Sequence, residues 1–158
     1  MPVVEASIEL DVDVETAFAV SQTTGAIRLR WDPFIAHQHL LDGATAPGKD
    51  VRTYTRHRTR LLSMISRYVS YRPPSTVGMT MERGPWFFET LAAGWRFDPV
   101  GDDRSRATWR YSFRCRPAWL ARPVEAIGTR VLQRDVERRI AAYARGCADP
   151  VVLTAVRQ

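Results

Sequence analysis

One segment near the end of the chain alternates between apolar and polar side chains without interruption, from Arg104 to Arg116. The apolar positions are Ala107, Trp109, Tyr111, Phe113 and Cys115. Alternation with a period of two predicts a strand that has one buried face and one wetted face. Because the buried face is rich in aromatic rings, it needs a second apolar layer to cover it.

The covering layer is predicted directly after this strand. Pro117 ends the alternation, and helical spacing then continues to about Arg145. One apolar stripe of this helix consists of Thr129, Leu132, Val136, Ile140 and Tyr143. A second apolar group points to another side and consists of Leu120, Val124 and Ile127. The change of side predicts a bend or a separate turn near Gly128.

The rest of the chain reads as one opening strand, two short helices and a meander of strands. Residues 4–10 alternate as a half-buried strand, and Asp13 and Thr24 can each cap a short helix. Turn signals then separate strands at about 34–41, 50–57, 61–72, 75–82, 86–97 and 104–116. The apolar tail after Pro150 is expected to pair on a sheet edge or to fray.

Length and composition indicate a soluble protein with one sizeable core. A chain of 158 residues with 45% hydrophobic content predicts a single domain over 1–148 and a tail over 149–158. We expect a cytoplasmic location, since neither a membrane-spanning run nor a signal peptide is visible. The two cysteines predict no redox chemistry. The net charge of +6 is weak evidence for any partner, because all but one of the 23 basic residues are arginines.

The order of elements and four short motifs resemble a known superfamily. The motifs are Phe18 in the first helix, Trp31-Asp32-Pro33 after the second, Trp95-Arg96-Phe97-Asp98-Pro99, and Pro117 before the last helix. With these features the chain resembles the START/Bet v 1-like (SRPBCC) superfamily, and within it the polyketide cyclase/dehydrase branch. The resemblance implies an α+β helix-grip fold, in which a curved antiparallel sheet of about seven strands wraps around the long C-terminal helix.

The resemblance also implies a cavity between sheet and helix for a lipid-like or polyketide-like molecule. The aromatic face of the last strand agrees with it, although the same rings would also fill an ordinary core. The expected ligand-binding residues are Trp31, Tyr54, Tyr68, Met79, Met81, Leu91, Trp95, Trp109, Tyr111, Phe113, Leu132 and Val136.

Glu89 is the first candidate for proton transfer. If Trp95 pairs with Ala107 across the hairpin, Glu89 faces Phe113 on the apolar side, where burial would raise its pKa. A bulge near Gly94 would instead turn Glu89 outward, toward Arg110 and Arg114. Both arrangements are compatible with the sequence.

His37 and His39 are the other catalytic candidates. They share one face of a strand and are able to contact a ligand or solvent, and no third residue completes a metal site. We therefore expect no metal and no cofactor, because phosphate-binding loops and nucleophile motifs are also missing from the sequence.

A possible positive surface is formed by the run from Arg56 to Arg60 and by the arginines of the last strand. It is either a solvated sheet face or a docking face for an acidic carrier protein. Nucleic acid ranks lower, because no aromatic residues stand among the arginines of the last strand.

Three functions remain open from the sequence. The first is binding of a small hydrophobic or aromatic molecule. The second is a polyketide aromatase/cyclase or dehydratase that works by proton transfer in the same cavity. The third is an interaction module that uses the basic sheet surface.

Overall fold

The computed structural model describes residues 1–59 and 62–158. Arg60 of the basic run and the predicted strand start at residue 61 lie outside the described part. The strands are β1 (Val3–Leu10), β2 (Ile35–Leu40), β3 (Arg52–His57), β4 (Ser63–Arg72), β5 (Thr76–Arg83), β6 (Phe88–Gly101) and β7 (Arg104–Cys115). The α-helices are α1 (Val14–Ser21), α2 (Gly25–Trp31), α3 (Ala121–Gly146) and α4 (Pro150–Val156).

The strands form one antiparallel sheet in the order β1-β7-β6-β5-β4-β3-β2. The first strand joins the last one, so β7 lies between β1 and β6 and is covered on its apolar face. Ala107, Trp109 and Phe113 are buried there, as the alternation predicts. The two short helices follow β1, and the Asp13 carboxylate caps α1 by accepting from the Thr16 amide at 2.6 Å.

The long helix α3 lies across the inner face of this sheet. Val136, Ile140 and Tyr143 are buried on its inner side, which confirms the predicted stripe. The helix continues through Gly128, where the Phe113 ring packs against it, so α3 is not divided there by the separate turn that was one of the two predictions. Within the second apolar group, Ile127 is 67% exposed, whereas Val124 packs against the core.

The C-terminal tail differs from both expectations for it. Residues 150–156 form helix α4, and the Asp149 carboxylate caps it by accepting from the Val151 amide at 2.9 Å. Val152 is fully buried where α4 packs against α1 and α2. The short apolar segment gains more from burial as an amphipathic helix than from pairing on a sheet edge.

The hairpin between β6 and β7 corrects the predicted register by two residues. β6 continues as a strand through Pro99 to Gly101, and the turn is confined to Asp102 and Asp103. Trp95 therefore pairs with Trp109 rather than Ala107. The sequence predicts a wider turn because residues 98–103 are rich in turn-forming types. In the structure Asp98 still pairs with Arg106 in the strand ladder.

The architecture confirms the predicted α+β helix-grip fold. Among the described residues, no helix combines the length and the apolarity that crossing a bilayer requires.

Candidate ligand-binding cavity

A cavity of about 80 Å³ lies between the sheet and helices α2 and α3. It adjoins an outer vestibule of about 170 Å³, because both are lined by Ile35, Thr55, Met64, Leu91, Tyr111 and Arg139. The vestibule is more apolar and is bordered by Pro85, Phe88 and Leu132. The two spaces together form a passage from the protein surface to a polar inner end.

Most of the predicted ligand-binding residues lie on the walls of this passage. Those on the inner cavity are Tyr68, Met79, Met81, Leu91, Trp95, Trp109 and Tyr111. Leu132 lies on the vestibule. Aromatic rings and methionines give this wall a broad, adaptable apolar surface. Ligand contact by these residues stays a prediction.

The inner end of the cavity carries a buried ion cluster of two arginines and one aspartate. Asp32 is completely buried and accepts from Arg139 Nη2 at 2.7 Å and from Arg28 Nε at 3.1 Å. Arg139 Nη1 also donates to the Tyr111 hydroxyl at 2.7 Å. Two guanidinium groups thus share one carboxylate, and the cluster carries a formal charge of +1 beside the cavity.

The cluster controls the protonation of its members. Burial would raise the pKa of Asp32, but Arg139 and then Arg28 hold it below its ordinary value. Burial also lowers the pKa of Arg28, whereas Asp32 and Tyr111 outweigh burial and raise the pKa of Arg139. The neighbouring Tyr68 has its pKa raised to about 12, chiefly by burial. The cavity therefore holds a positive charge beside the neutral phenol of Tyr68 at physiological pH.

Three buried polar atoms on the wall of this cavity find no hydrogen-bond partner within residues 1–59 and 62–158. They are Gln22 Oε1, Gln38 Oε1 and Trp109 Nε1. Gln38 is only 9% exposed and Trp109 only 5%. Buried polar atoms normally have partners, and each unpaired one costs about 1–3 kcal/mol. The residues that carry these three atoms line the cavity.

Four predicted ligand-binding residues lie away from the cavity walls. Trp31 packs against Tyr143 at a ring distance of 5.4 Å and donates to the Thr23 hydroxyl. Phe113 and Val136 are fully buried between β7 and α3. Tyr54 lies on the outer face of the sheet beside His39, with ring centroids 5.3 Å apart. The sequence pattern correctly assigns Trp31, Phe113 and Val136 to the interior. It does not distinguish residues of the packed core from residues on the cavity wall.

Glu89 faces the solvent, which removes the geometric basis for its predicted catalytic role. Its side chain is 53% exposed and lies 3.9 Å from Arg114. Phe88 pairs with Cys115 and Thr90 pairs with Arg114, so Glu89 is the extra residue of a bulge. The bulge lies at Glu89 itself rather than near Gly94, and it turns the carboxylate out of the apolar face.

His37 and His39 also lie outside the cavity. They share an exposed face, as predicted, and their ring nitrogens are 3.0 Å apart. A register shift between Ile35 and His37 lets both Ile35 and Gln38 point inward, and the two histidines then point outward. The described residues contain no group of three or more potential metal ligands.

The basic outer face of the sheet is partly neutralised by acids of β1 and the segment after it. Arg104 and Arg106 pair with Glu9, and Arg104 also pairs with Asp11. This pairing gives no support to an acidic carrier protein at that face.

The ion cluster is the part of the site that sequence analysis missed. The sequence motif includes Asp32 without a role for its carboxylate, and no motif includes Arg28, Gln38 or Arg139. One signal was available, because Arg139 falls on the apolar stripe of α3 between Val136 and Tyr143. An arginine on a buried helix face indicates a buried partner.

The fold, with a cavity between its sheet and its long C-terminal helix, defines a protein of the helix-grip class. The family model for polyketide cyclase / dehydrase and lipid transport proteins matches residues 1–147. The chain belongs to this family.

Solved structures agree on the fold at low sequence identity. The protein TTHA0849 from Thermus thermophilus matches with a TM-score of 0.75 and 11% identity, over 93% of this chain and 97% of that one. A START superfamily protein from Mycobacterium smegmatis matches with a TM-score of 0.67 and 12% identity, over 91% and 92%. No curated protein sequence matches the chain.

A protein from a biosynthetic pathway is also among the similar structures. The di-domain ARO/CYC protein BexL from the BE-7585A biosynthetic pathway matches with a TM-score of 0.60 and 15% identity, over 89% of this chain and 47% of that one. At such identities these likenesses show a shared fold.

Proposed function

We propose that the protein binds a small aromatic molecule that carries acidic and hydroxyl oxygens, of the polyketide type. The observation that carries the proposal is the set of unpartnered buried atoms of Gln38 and Trp109 on the cavity that Arg139 also lines. A hydroxyl group of the ligand would donate to Gln38, and a carbonyl or phenolate oxygen would accept from Trp109. Family membership supports a ligand of this class.

The charge of the ion cluster favours an acidic oxygen in the ligand. Two guanidinium groups face one carboxylate, and a second anion near Arg139 would balance the excess positive charge. Such an interaction is strengthened by the low polarity of the surrounding rings. A carboxylate, an enolate or an ionised phenol meets this requirement.

The dimensions of the passage place the two parts of the ligand. The inner cavity of about 80 Å³ is smaller than the ~150 Å³ that holds a benzene ring in an engineered apolar cavity. The vestibule of about 170 Å³ is large enough for a ring and is mostly apolar. The ligand would thus direct its oxygens inward and keep its ring system between Met64, Leu91 and Leu132.

Titration calorimetry with 2-naphthoate, 2-naphthol and naphthalene tests this proposal. These probes share one ring system and differ in the oxygen group. We expect naphthoate and naphthol to bind about tenfold more tightly than naphthalene, since only they are able to pair with the polar inner end. Equal affinity for the three probes, or no binding of any, would contradict the proposal.

Gln38→Leu and Trp109→Phe test the polar contacts themselves. Each variant removes an unpartnered buried atom, so we expect about tenfold weaker naphthol binding. Gln38→Leu nearly preserves side-chain volume and should also raise the melting temperature, whereas Trp109→Phe loses ring packing against Trp95 and Tyr111. Glu89→Gln is the control and leaves both quantities unchanged. If the two variants keep full affinity, their polar atoms do not bind ligand.

One observation favours a second candidate, a cyclase that works by proton transfer. The Tyr111 hydroxyl accepts from Arg139 at 2.7 Å, which leaves its own proton free to be donated into the cavity. Tyr111 would then take the proton-transfer role that the sequence predicted for Glu89, His37 and His39, which lie outside the cavity. With a synthetic aryl triketone as substrate, Tyr111→Phe should lower the cyclisation rate about a hundredfold and preserve binding. An unchanged rate would exclude Tyr111 as the proton donor.

A further inference from the structure

Exposed apolar side chains lie next to residues that line the vestibule. Trp86 is 73% exposed and Trp119 is 80% exposed, and both are large apolar side chains that folded proteins normally bury at least in part. Ile127 and Val131, one turn apart on α3, are also exposed. We call these four residues the mouth patch.

Backbone contacts bring the two tryptophans to the same end of the molecule. The Arg116 amide donates to the Phe87 carbonyl at 3.0 Å, and the Arg116 side chain donates to the Phe88 carbonyl at 3.1 Å. The loop that carries Trp86 is thereby joined to the turn that carries Trp119. Each tryptophan lies within three residues of one of these contacts.

The mouth patch is continuous with the cavity entrance. Pro85 and Phe88, which flank the Trp86 loop, line the vestibule, and so does Leu132, the neighbour of Val131 on α3. A surface that covered the mouth patch would therefore also cover the opening through which a ligand passes.

Exposed arginines surround the mouth patch. They are Arg83, Arg116, Arg122 and Arg130. Three acids lie in the same region. Glu125 accepts from the Cys115 amide at 3.1 Å, Glu89 lies beside Arg114, and Asp135 lines the vestibule. The four arginines outnumber these acids, so the region keeps a net positive charge.

We propose that the protein docks on the surface of an anionic lipid bilayer through the mouth patch, with the cavity entrance facing the membrane. Tryptophan side chains favour the interface between lipid headgroups and acyl chains, and arginines beside them attract anionic headgroups. The same arginines would repel one another across a symmetric contact, which disfavours a second copy of this chain as the occupant. Docking needs no ligand in the cavity, so it is independent of the function proposed above.

Co-sedimentation of the full chain with lipid vesicles tests the proposal. Vesicles of phosphatidylcholine with 30% phosphatidylglycerol should bind the protein, and pure phosphatidylcholine vesicles should bind it much less. Binding should weaken as salt screens the arginines. We expect Trp86→Ala with Trp119→Ala to weaken binding about tenfold or more, and each of Arg122→Gln and Arg130→Gln to weaken it about fivefold.

Matched controls lie at the opposite end of the sheet. Val100 in β6 and Arg72 at the end of β4 are exposed, and Val100→Ser with Arg72→Gln should bind vesicles as the wild type does. Brominated lipids should quench wild-type tryptophan fluorescence and should lose this effect in the Trp86 and Trp119 double variant. The proposal is overturned if anionic vesicles do not bind at low salt, if the double variant binds normally, or if gel filtration shows that the patch forms a dimer instead.

Discussion

Arg139 and Asp32 are separated by 107 residues, yet Arg139 Nη2 donates to Asp32 Oδ2 at 2.7 Å. This pair joins the middle of α3 to the end of α2 beneath the sheet. Arg28 of α2 donates to the same oxygen, so a single buried carboxylate holds α2 and α3 together at the cavity wall. The cluster is structural and also places a net positive charge beside the cavity.

Replacing Asp32 with asparagine should destabilise the protein severely. The substitution preserves shape but leaves two guanidinium groups without their acid, and breaking a buried pair in this way costs about 3–5 kcal/mol. Urea unfolding followed by circular dichroism measures the change. The control is Asp42→Asn, which removes an exposed pair with Arg52 and should have a far smaller effect. Equal losses for both variants would contradict the structural role of the cluster.

The stability of the wild type should fall in acid in a way that depends on Asp32. Its pKa in the folded protein lies below the value of about 3.9 in the unfolded chain, so the ionised carboxylate stabilises the fold above about pH 4. This contribution is lost as the pH falls through the lowered folded pKa. The urea midpoints of wild type and Asp32→Asn should therefore approach each other as the pH is lowered from 7 to 2. A constant difference down to pH 2 would show that Asp32 does not titrate in this range.

Two glycines of α3 should respond in opposite directions to alanine. A Cβ atom at Gly146 would lie 2.7 Å from Trp31 Cβ, so Gly146→Ala should cost about 1–3 kcal/mol through a clash in the core. A Cβ atom at Gly128 would lie 3.4 Å from the Phe113 ring, and Gly128→Ala should stabilise the helix by about 0.5–1 kcal/mol. Thermal unfolding of the two variants checks both signs. Stabilisation by Gly146→Ala would contradict the packing of Trp31 against α3.

Neither cysteine should react with thiol reagents in the folded protein. Both side chains are buried, and burial raises the pKa of Cys115 and raises that of Cys147 to about 12. Labelling with Ellman's reagent at pH 8 should proceed slowly in buffer and rapidly in urea. Fast labelling of one thiol in buffer would show that its surroundings open readily.

The sequence determined those features that depend on local periodicity. Alternation over 104–116 established both the strand and its inner face, and helical spacing after Pro117 established the layer that covers it. The same pattern placed Trp95, Trp109 and Tyr111 in the interior. These features follow from neighbouring residues, because the side chains of a strand or a helix point in directions that its own geometry sets.

Tertiary structure alone decided which interior residues face the cavity and which groups give it charge. A bulge turned Glu89 outward. A register shift turned Gln38 inward and the two histidines outward. Each irregularity displaces the alternation of its strand by a single residue. The cluster of Arg28, Asp32 and Arg139 forms because α2 and α3 converge in space. Register and convergence depend on contacts between distant parts of the chain, and the periodicity of each element carries no information about them.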